Sequence, residues 1–495
     1  LGGFFQLKGQ EVNTSVERVY VVFKTHLDVG FTDLSSVVTQ RYITEFIPKA
    51  LDVSEKLRAE NANEKYVWTT GAWLIWKYLH TASPQDVKRL EAAIRRGDIV
   101  WNSVPYTVES ESMNLDLFET CLLLSHRLDE KYGKKTIAAK MTDVPGHTRS
   151  IVSPMNRAGI RLLHVGVNPA SPIPAVPEFC RWRDTDGSEL ILVYQQDYGS
   201  ESILPGGKSV ISINFTSDNH GPHTYGEVKK IYADLQKRYP NARLVACSFN
   251  EITEELIAMQ DQLPVVTSEI GDTWIYGYGS APVRMAKFRA LSELYSKWLR
   301  EKKIDKNSDV ALEFALELGL IGEHTQGIYV RPDLPDWDKF DVDQFASARA
   351  TEPFQKMEKS WKELDDYIYS SIQYLPQNLQ DEALAEMKKI DRVEAPSFTK
   401  KAKATSSTPW QASVLKNGAL KIEGLSYQMC DANDYKNYLD NYLRAHYGWA
   451  LADIGKPGLD KSKAVSVSLP AQTIKQEIRK DKKGIRTVSE LVFPE

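Results

Sequence analysis

The sequence predicts an α/β protein: a β/α barrel, then a helix bundle, then a C-terminal β-rich region. Three observations carry this. Between residues 19 and 282, short β-branched or aromatic blocks alternate with amphipathic stretches of helical period. Repeated β-then-α units imply a mainly parallel sheet, and about seven of them imply closure into a seven-stranded barrel. Near residue 283 the pattern changes to long, charged, amphipathic helical runs, and near 395 to alternating strand-like residues. The expected domains are therefore residues 1–282 (barrel), 283–394 (helix bundle) and 395–495 (β-sandwich-like). The last is short, either a reduced domain or one that continues past residue 495.

The opening strand is VYVVF, residues 19–23, a short apolar and β-branched block. It runs into KTHLDVGFTD, residues 24–33, which places His26 and Asp28 two residues apart at the strand tip, on one side of an extended backbone. An imidazole and a carboxylate presented together suit a divalent metal of zinc type. Taken alone, the pair also reads as a loop residue and a helix cap. Gly30 turns the chain into a helical pattern at 35–51. Residues 65–69 form the next strand-like block, and 72–80 a helix. Ser83-Pro84 starts another helix that Gly97 ends. After the strand at 99–101 comes an acidic loop, 105–114, and a helix at 115–132. Strands at 136–141 and 162–167 flank a helix at 150–158. Residues 182–188 and 190–195 read as a hairpin around Asp186-Gly187. A helix at 225–239, a strand at 242–249, a helix at 252–260 and a strand at 265–267 close the series. Four helical runs follow, at 283–302, 309–317, 345–369 and 379–389. A Lys/Ser/Thr-rich linker at 400–408 leads to strands at 419–422, 464–469 and 487–492.

Composition narrows the partners. A net charge of −4 gives no reason to expect nucleic acid, and no window approaches 18 uninterrupted apolar residues, so no membrane span is expected. No phosphate-cradling or dinucleotide-binding glycine motif occurs. The 11 Trp and 23 Tyr are compatible with sugar stacking, though large cores also use them. Cys121, Cys180, Cys247 and Cys430 are too dispersed for a zinc knuckle or an obvious disulfide framework. The chain opens on Leu1-Gly2-Gly3, and a removed export signal would place it in the periplasm or outside the cell, with the cytoplasm as the alternative.

Three further stretches carry chemistry. KMTDVPGHT, residues 140–148, puts Asp143 just past a strand tip, followed by the Pro145-Gly146 turn; taken alone, D-x-P-G reads more readily as simply a turn. GEHTQG, residues 322–327, places His324 at the end of a helical run, where a plain helix cap is the simpler reading. SEIGDTWIYGYGSAP, residues 268–282, sets Glu269 and Asp272 before Trp274, Tyr276 and Tyr278, a plausible sugar cleft or simply a closing loop. The His220-Gly221-Pro222-His223 loop reads as solvated.

Together these stretches resemble the glycoside hydrolase family 38 α-mannosidases. His26-Leu27-Asp28-Val29-Gly30-Phe31 is similar to that family's H-x-D-x-G-W signature, with Phe for Trp. Asp143-Val144-Pro145-Gly146-His147-Thr148 resembles its D-x-F-G-H-S run without the Phe. Glu323-His324-Thr325 looks like its H-H-D segment, with Glu and Thr replacing the flanking residues. Residues 274–282 resemble the segment that opens the family's bundle, and WRDTDGS at 182–188 its W-x-G-x-D-G-S hairpin. Order and spacing agree over roughly residues 19–345.

The resemblance implies a β/α barrel of glycoside hydrolase/deacetylase type, a three-helix bundle and C-terminal β-domains. It implies one zinc ion held by His26, Asp28, Asp143 and His324, with Asp143 also the nucleophile of a retaining glycosidase. The proton donor is expected at Asp272 first, then Glu269, then Glu109 or Glu111 of the acidic loop. Trp274, Tyr276 and Trp73 are candidates to stack on a carbohydrate substrate, each reading equally well as core, and Glu111 is a candidate to bind it. The altered motif positions leave two alternatives. One is a zinc-dependent carbohydrate deacetylase, although its usual H-x-x-x-H spacing is missing. The other is a sugar-binding protein without a working acid.

Overall fold

The computed structural model describes residues 12–272, 274, 277–329 and 342–391; in the C-terminal region it describes 412–414, 420–422, 425–442, 450–451, 459–461, 463–481 and 484–493. By contact the chain divides into two compact units, Leu1–Ile390 and Asp391–Glu495. The division falls at the end of the helical region, and none falls at residue 282.

The first unit contains eleven described strands: β1 Arg18–Lys24, β2 Trp68–Gly71, β3 Ile99–Asn102, β4 Ala138–Asp143, β5 Leu162–Val167, β6 Phe179–Arg183, β7 Glu189–Gln196, β8 Glu201–Ile203, β9 Ser209–Asn214, β10 Arg243–Ala246 and β11 Val265–Val266. Helices separate most of the parallel strands, as the β-then-α reading expects. The strands hydrogen-bond as two sheets rather than as one seven-stranded ring. In the first sheet the order is β3-β2-β1-β9-β8, with β10 also paired to β1; in the second it is β11-β6-β7-β5-β4. Pairing is parallel except for β6 with β7 and β8 with β9. The β6–β7 hairpin matches the turn read at Asp186-Gly187. By contrast, β9 carries no long apolar run: in SVISIN serines interrupt Val210, Ile211 and Ile213, yet it pairs with β1 from Arg18–Ser209 to Phe23–Asn214. Between the sheets, Ser103 N donates to Ala138 O (2.9 Å) just past β3.

The central strand β1 shows why the pattern works. All its residues but Arg18 are buried. Successive side chains point to opposite faces, so Val19, Val21 and Phe23 join the large core under the helices. Tyr20 and Val22 join a second core with Ala138, Leu162, Ile191, Val193, Ile211 and Ile213. A strand buried on both faces must read as a continuous apolar run, and it does.

Helix ends follow local chemistry. Pro84–Arg96 starts where the Ser83 side chain accepts from Asp86 N (3.2 Å) and stops at Gly97. The long run expected at 345–369 is two helices, Val342–Ala348 and Glu352–Ile372, because Pro353 has no N–H for a helix interior and is tolerated only in a first turn. With Pro282–Arg300, Asp309–Gly319 and Gln377–Asp391, the described residues hold five helices here, not three. They are built around Phe288, Tyr295, Trp298 and Phe314, all buried, with Trp298 Nε1 donating to Glu382 (3.0 Å).

In the second unit, antiparallel pairs join Ala412–Val414 to Leu420–Ile422, Ser426–Met429 to Val467–Pro470, and Gln472–Asp481 to Gly484–Val492. A helix at Ala432–Tyr442 interrupts them. The linker expected at 400–408 lies outside the described residues. The four cysteines are free: Cys121, Cys180 and Cys247 are buried and Cys430 is exposed.

Candidate metal centre

Strand ends place the chemistry. His26 and Asp28 follow the C-terminal tip of β1, and Asp143 is the last residue of β4, so the parallel register of two different sheets delivers them to one region. His324 arrives from a third direction, beyond the helix Asp309–Gly319. Its segment is stitched to the acidic loop: Glu109 N donates to Gly322 O (2.9 Å) and His324 N to Thr107 O (3.3 Å), with a bridge between Val108 and Glu323.

His26, Asp28, Asp143 and His324 are all buried, and one ligand atom from each lies within 4.8 Å of the others. His26 Nε2 is 3.1 Å from Asp28 Oδ1; His324 Nε2 is 3.0 Å from the same oxygen and 3.6 Å from Asp143 Oδ2. Despite these distances, neither Nε2 makes an aligned hydrogen bond, and Asp28 Oδ2 has no partner. Burying polar atoms in that state is costly. Two imidazoles and two carboxylates aimed inward, with unsatisfied lone pairs, could hold a metal cation.

Surrounding residues fix each ligand. Asn219 is left-handed at φ 51°, a conformation asparagine tolerates. Its Oδ1 accepts from Asp28 N (3.0 Å), and its Nδ2 donates to Asp28 O (3.1 Å), Gly30 O (3.2 Å) and Thr32 Oγ1 (3.0 Å). Its own N–H donates to His26 O (3.1 Å), which also accepts from the Tyr42 hydroxyl (3.0 Å). Gly30 has φ 131°, open to glycine and strained for other residues, and packs against Thr325. Asp143 also has a positive φ, 86°, a strained conformation for a side-chain-bearing residue. Asn168 holds it there by donating from Nδ2 to Oδ1 (2.9 Å) and from its backbone N to Asp143 O (2.9 Å). The Tyr198 hydroxyl donates to the same carboxylate oxygen.

Electrostatics divide the carboxyls. Asp28 is held well below the usual carboxylate range: burial opposes this, but His26 and His324 outweigh it. Glu109, fully buried, goes the other way; burial pushes its pKa well above the ordinary value, and the charges of Glu323 and Asp272 add to the rise. Neither Glu109 oxygen has an aligned hydrogen-bond partner, and the nearby Tyr278 hydroxyl only partly offsets the shift. Below the centre, Lys24 is buried, donates to Thr142 Oγ1 (3.3 Å), and is pushed down to about 7 by burial against the pull of Asp218, Asp143 and Asp28.

The remaining expected residues separate. Asp272 is half-buried, accepts from Trp274 N (3.1 Å) through Oδ1, and lies near enough to Glu109 to act on its charge. Its loop crosses the Asp143 loop backbone to backbone: a Cβ on Gly146 would stand 2.3 Å from Ile270 O and 2.7 Å from Asp272 N. His147 N donates to Ile270 O (2.9 Å) at this crossing. Glu269 is exposed and accepts from Arg149 N, and Glu111 is exposed beside it. Trp73 is a correction: at 2% exposure it is core, edge-on to Tyr106 (6.1 Å), with no free face for a sugar. Trp274 is half-buried, and Tyr276 lies outside the described residues. The His220–His223 loop is also corrected, because His223 is buried between Phe23 and Tyr66 while Asn219 braces the centre. A polar pocket lined by Thr69, Thr70, Asn102, Thr107 and Thr142 adjoins His26. No sequence motif marks Asn219, Asn168 or Tyr198; each is a lone polar residue in a loop.

A family model described as a domain of unknown function, DUF5054, matches residues 278–495. No curated protein matches. Among solved structures, an alpha-mannosidase from Enterococcus faecalis V583 is similar over 96% of this chain and 55% of its own, at 13% identity and TM-score 0.51. A glycosyl hydrolase family 38 protein from Enterococcus faecalis matches at 12% identity and TM-score 0.46, over 97% of this chain and 52% of its own. A GH57-type branching enzyme from Pyrococcus horikoshii matches at 11% and 0.41, over 76% and 94%. The chain thus spans about half the length of the first two. At 13% identity the likeness to the alpha-mannosidase is one of fold: a mixed α/β architecture with parallel sheets.

Proposed function

We propose that this chain is a metal-dependent retaining glycoside hydrolase of α-mannosidase type, acting through Asp143. The convergence of His26, Asp28, Asp143 and His324, from three separate segments, carries the reading. Those four residues would hold one zinc ion, which supplies Lewis-acid polarisation and orientation of sugar hydroxyls when bound. Asp143, held in a strained backbone conformation by Asn168 and Tyr198, presents a carboxylate oxygen to the anomeric carbon. A retaining mechanism also needs a carboxylic acid that is protonated in the resting enzyme. Burial favours the protonated form of Glu109, and the nearby charges of Glu323 and Asp272 add to that preference. The first choice of donor therefore moves from Asp272 to Glu109, with Asp272 as its partner. The polar pocket beside His26 offers threonine hydroxyls to a hydroxylated ring, as a carbohydrate substrate needs.

The test is metal content of purified protein, wild type beside Asp143→Ala and His26→Ala, followed by hydrolysis of aryl α-mannosides. About one zinc per chain, weakened in both variants, with hydrolysis abolished by Asp143→Ala and by Glu109→Gln, is the expected result. Wild-type protein that takes up no zinc refutes the reading. Bound zinc with no hydrolysis of any aryl glycoside would favour a sugar-binding protein instead.

A further inference from the structure

Glu323 is the carboxylate closest to the His324 ring on the side away from the other ligands. It is fully buried, and Oε1 stands 2.7 Å from His324 Nδ1. Its orientation is fixed from its own chain: Thr325 N donates to Oε2 (2.9 Å) and the Thr325 hydroxyl to Oε1 (3.4 Å). Thr325 is in turn packed on Gly30, in the segment that follows His26 and Asp28. Both Glu323 oxygens accept from Thr325, so the carboxyl faces Nδ1 as an acceptor and suits a proton on that nitrogen, which leaves Nε2 turned toward Asp28 and Asp143.

We infer that Glu323 is a positioning residue of the metal centre, holding His324 in the tautomer and orientation that present Nε2 to the cation. The inference rests on the proposed zinc site and adds to it a residue outside the ligand set. Nδ1 stands close to Glu323 Oε1 without an aligned hydrogen bond. Outer carboxylates of this kind raise the basicity of a ligating imidazole, and losing one typically weakens metal binding by about 10–100-fold.

The experiment is a zinc titration of the full chain, stripped of metal, in competition with a chromophoric chelator, for wild type, Glu323→Gln and Glu323→Ala. Cobalt(II) absorption serves as a second readout of the ligand field. The spectrum is the deciding readout, because a residue that merely supports the loop would weaken Kd and leave the ligand field of the bound ion unchanged. The expected result is a Kd weakened about 10-fold in Glu323→Gln and about 100-fold in Glu323→Ala, with an altered cobalt spectrum in both. The glutamine variant keeps the size of the side chain, so it decides the matter alone if the alanine variant misfolds. A wild-type spectrum in Glu323→Gln, whatever its Kd, would overturn the inference and leave the zinc site standing. Wild-type protein that binds neither metal would overturn both.

Discussion

Replacing Asn219 tests whether the His26–Asp28 segment is held from outside or by its own strand. The asparagine side chain makes four hydrogen bonds with the 28–32 segment, at Asp28 N, Asp28 O, Gly30 O and Thr32 Oγ1, and accepts a fifth, longer one from the Tyr42 hydroxyl (3.4 Å); the residue is 4% exposed. At about 1 kcal/mol net for each of the four, Asn219→Ala forfeits about 4 kcal/mol, with little water to replace the lost partners. The left-handed backbone at φ 51° adds a further cost of about 1 kcal/mol for alanine. Asn219→Asp is the sharper probe. It keeps the acceptor for Asp28 N but turns three donated bonds into carboxylate oxygens facing other oxygens. Urea denaturation and zinc affinity, measured on the same samples, should both fall, with Asp at least as damaging as Ala. If Asn219→Ala shows wild-type stability and a wild-type zinc Kd, the bracing described above is wrong.

Other expectations follow from the same geometry. Gly146→Ala should force the Asp143 loop and the 270–272 loop apart by about 0.7–1 Å, since a Cβ there meets only backbone, at 2.3 Å from Ile270 O; overpacking of this kind costs about 1–3 kcal/mol. Loss of hydrogen-exchange protection at His147 N would report the opening, whereas Gly226→Ala, where the added methyl meets nothing, should leave it intact. Asp98→Ala should destabilise the first unit by about 2 kcal/mol, below the roughly 3–5 kcal/mol of a fully buried ion pair, because Arg58 and Arg96 are exposed enough to turn to water. For pH, burial lowers His223 from 6.5 to about 4, with Glu227 and Lys49 as its charged neighbours. A histidine kept neutral by folding stabilises fully above pH 6.5, and that stability is lost as pH falls toward 4, up to about 3 kcal/mol. His223→Phe should flatten the stability curve over that window; an unchanged acid limb in denaturation midpoints would refute it.

The family resemblance pointed to the members of this site better than the residues' own chemistry pointed to their arrangement. His26 and Asp28 share a side because extended backbone repeats every two residues, and Asp143 sits at a strand tip because the apolar run ends there; both are local facts. The boundaries set by Ser83, Gly97 and the Asp186-Gly187 turn are local too, and all were legible. The division of the strands into two sheets was not, since β9 lacks a long apolar run and owes its place beside β1 to pairing across almost two hundred residues. Nor was the character of the carboxyls legible. Glu109, Glu111 and Glu269 are alike as residues, and only packing buries the first and exposes the other two. Trp73 entered as an aromatic of open role and became core for the same reason. The sequence alone therefore determined which side chains stand at strand ends and where most helices begin and stop, because those depend on neighbours a few positions away. Tertiary structure alone decided which of them meet, which keep a charge, and which lone asparagine braces the centre, because burial and hydrogen bonding join residues distant in the chain.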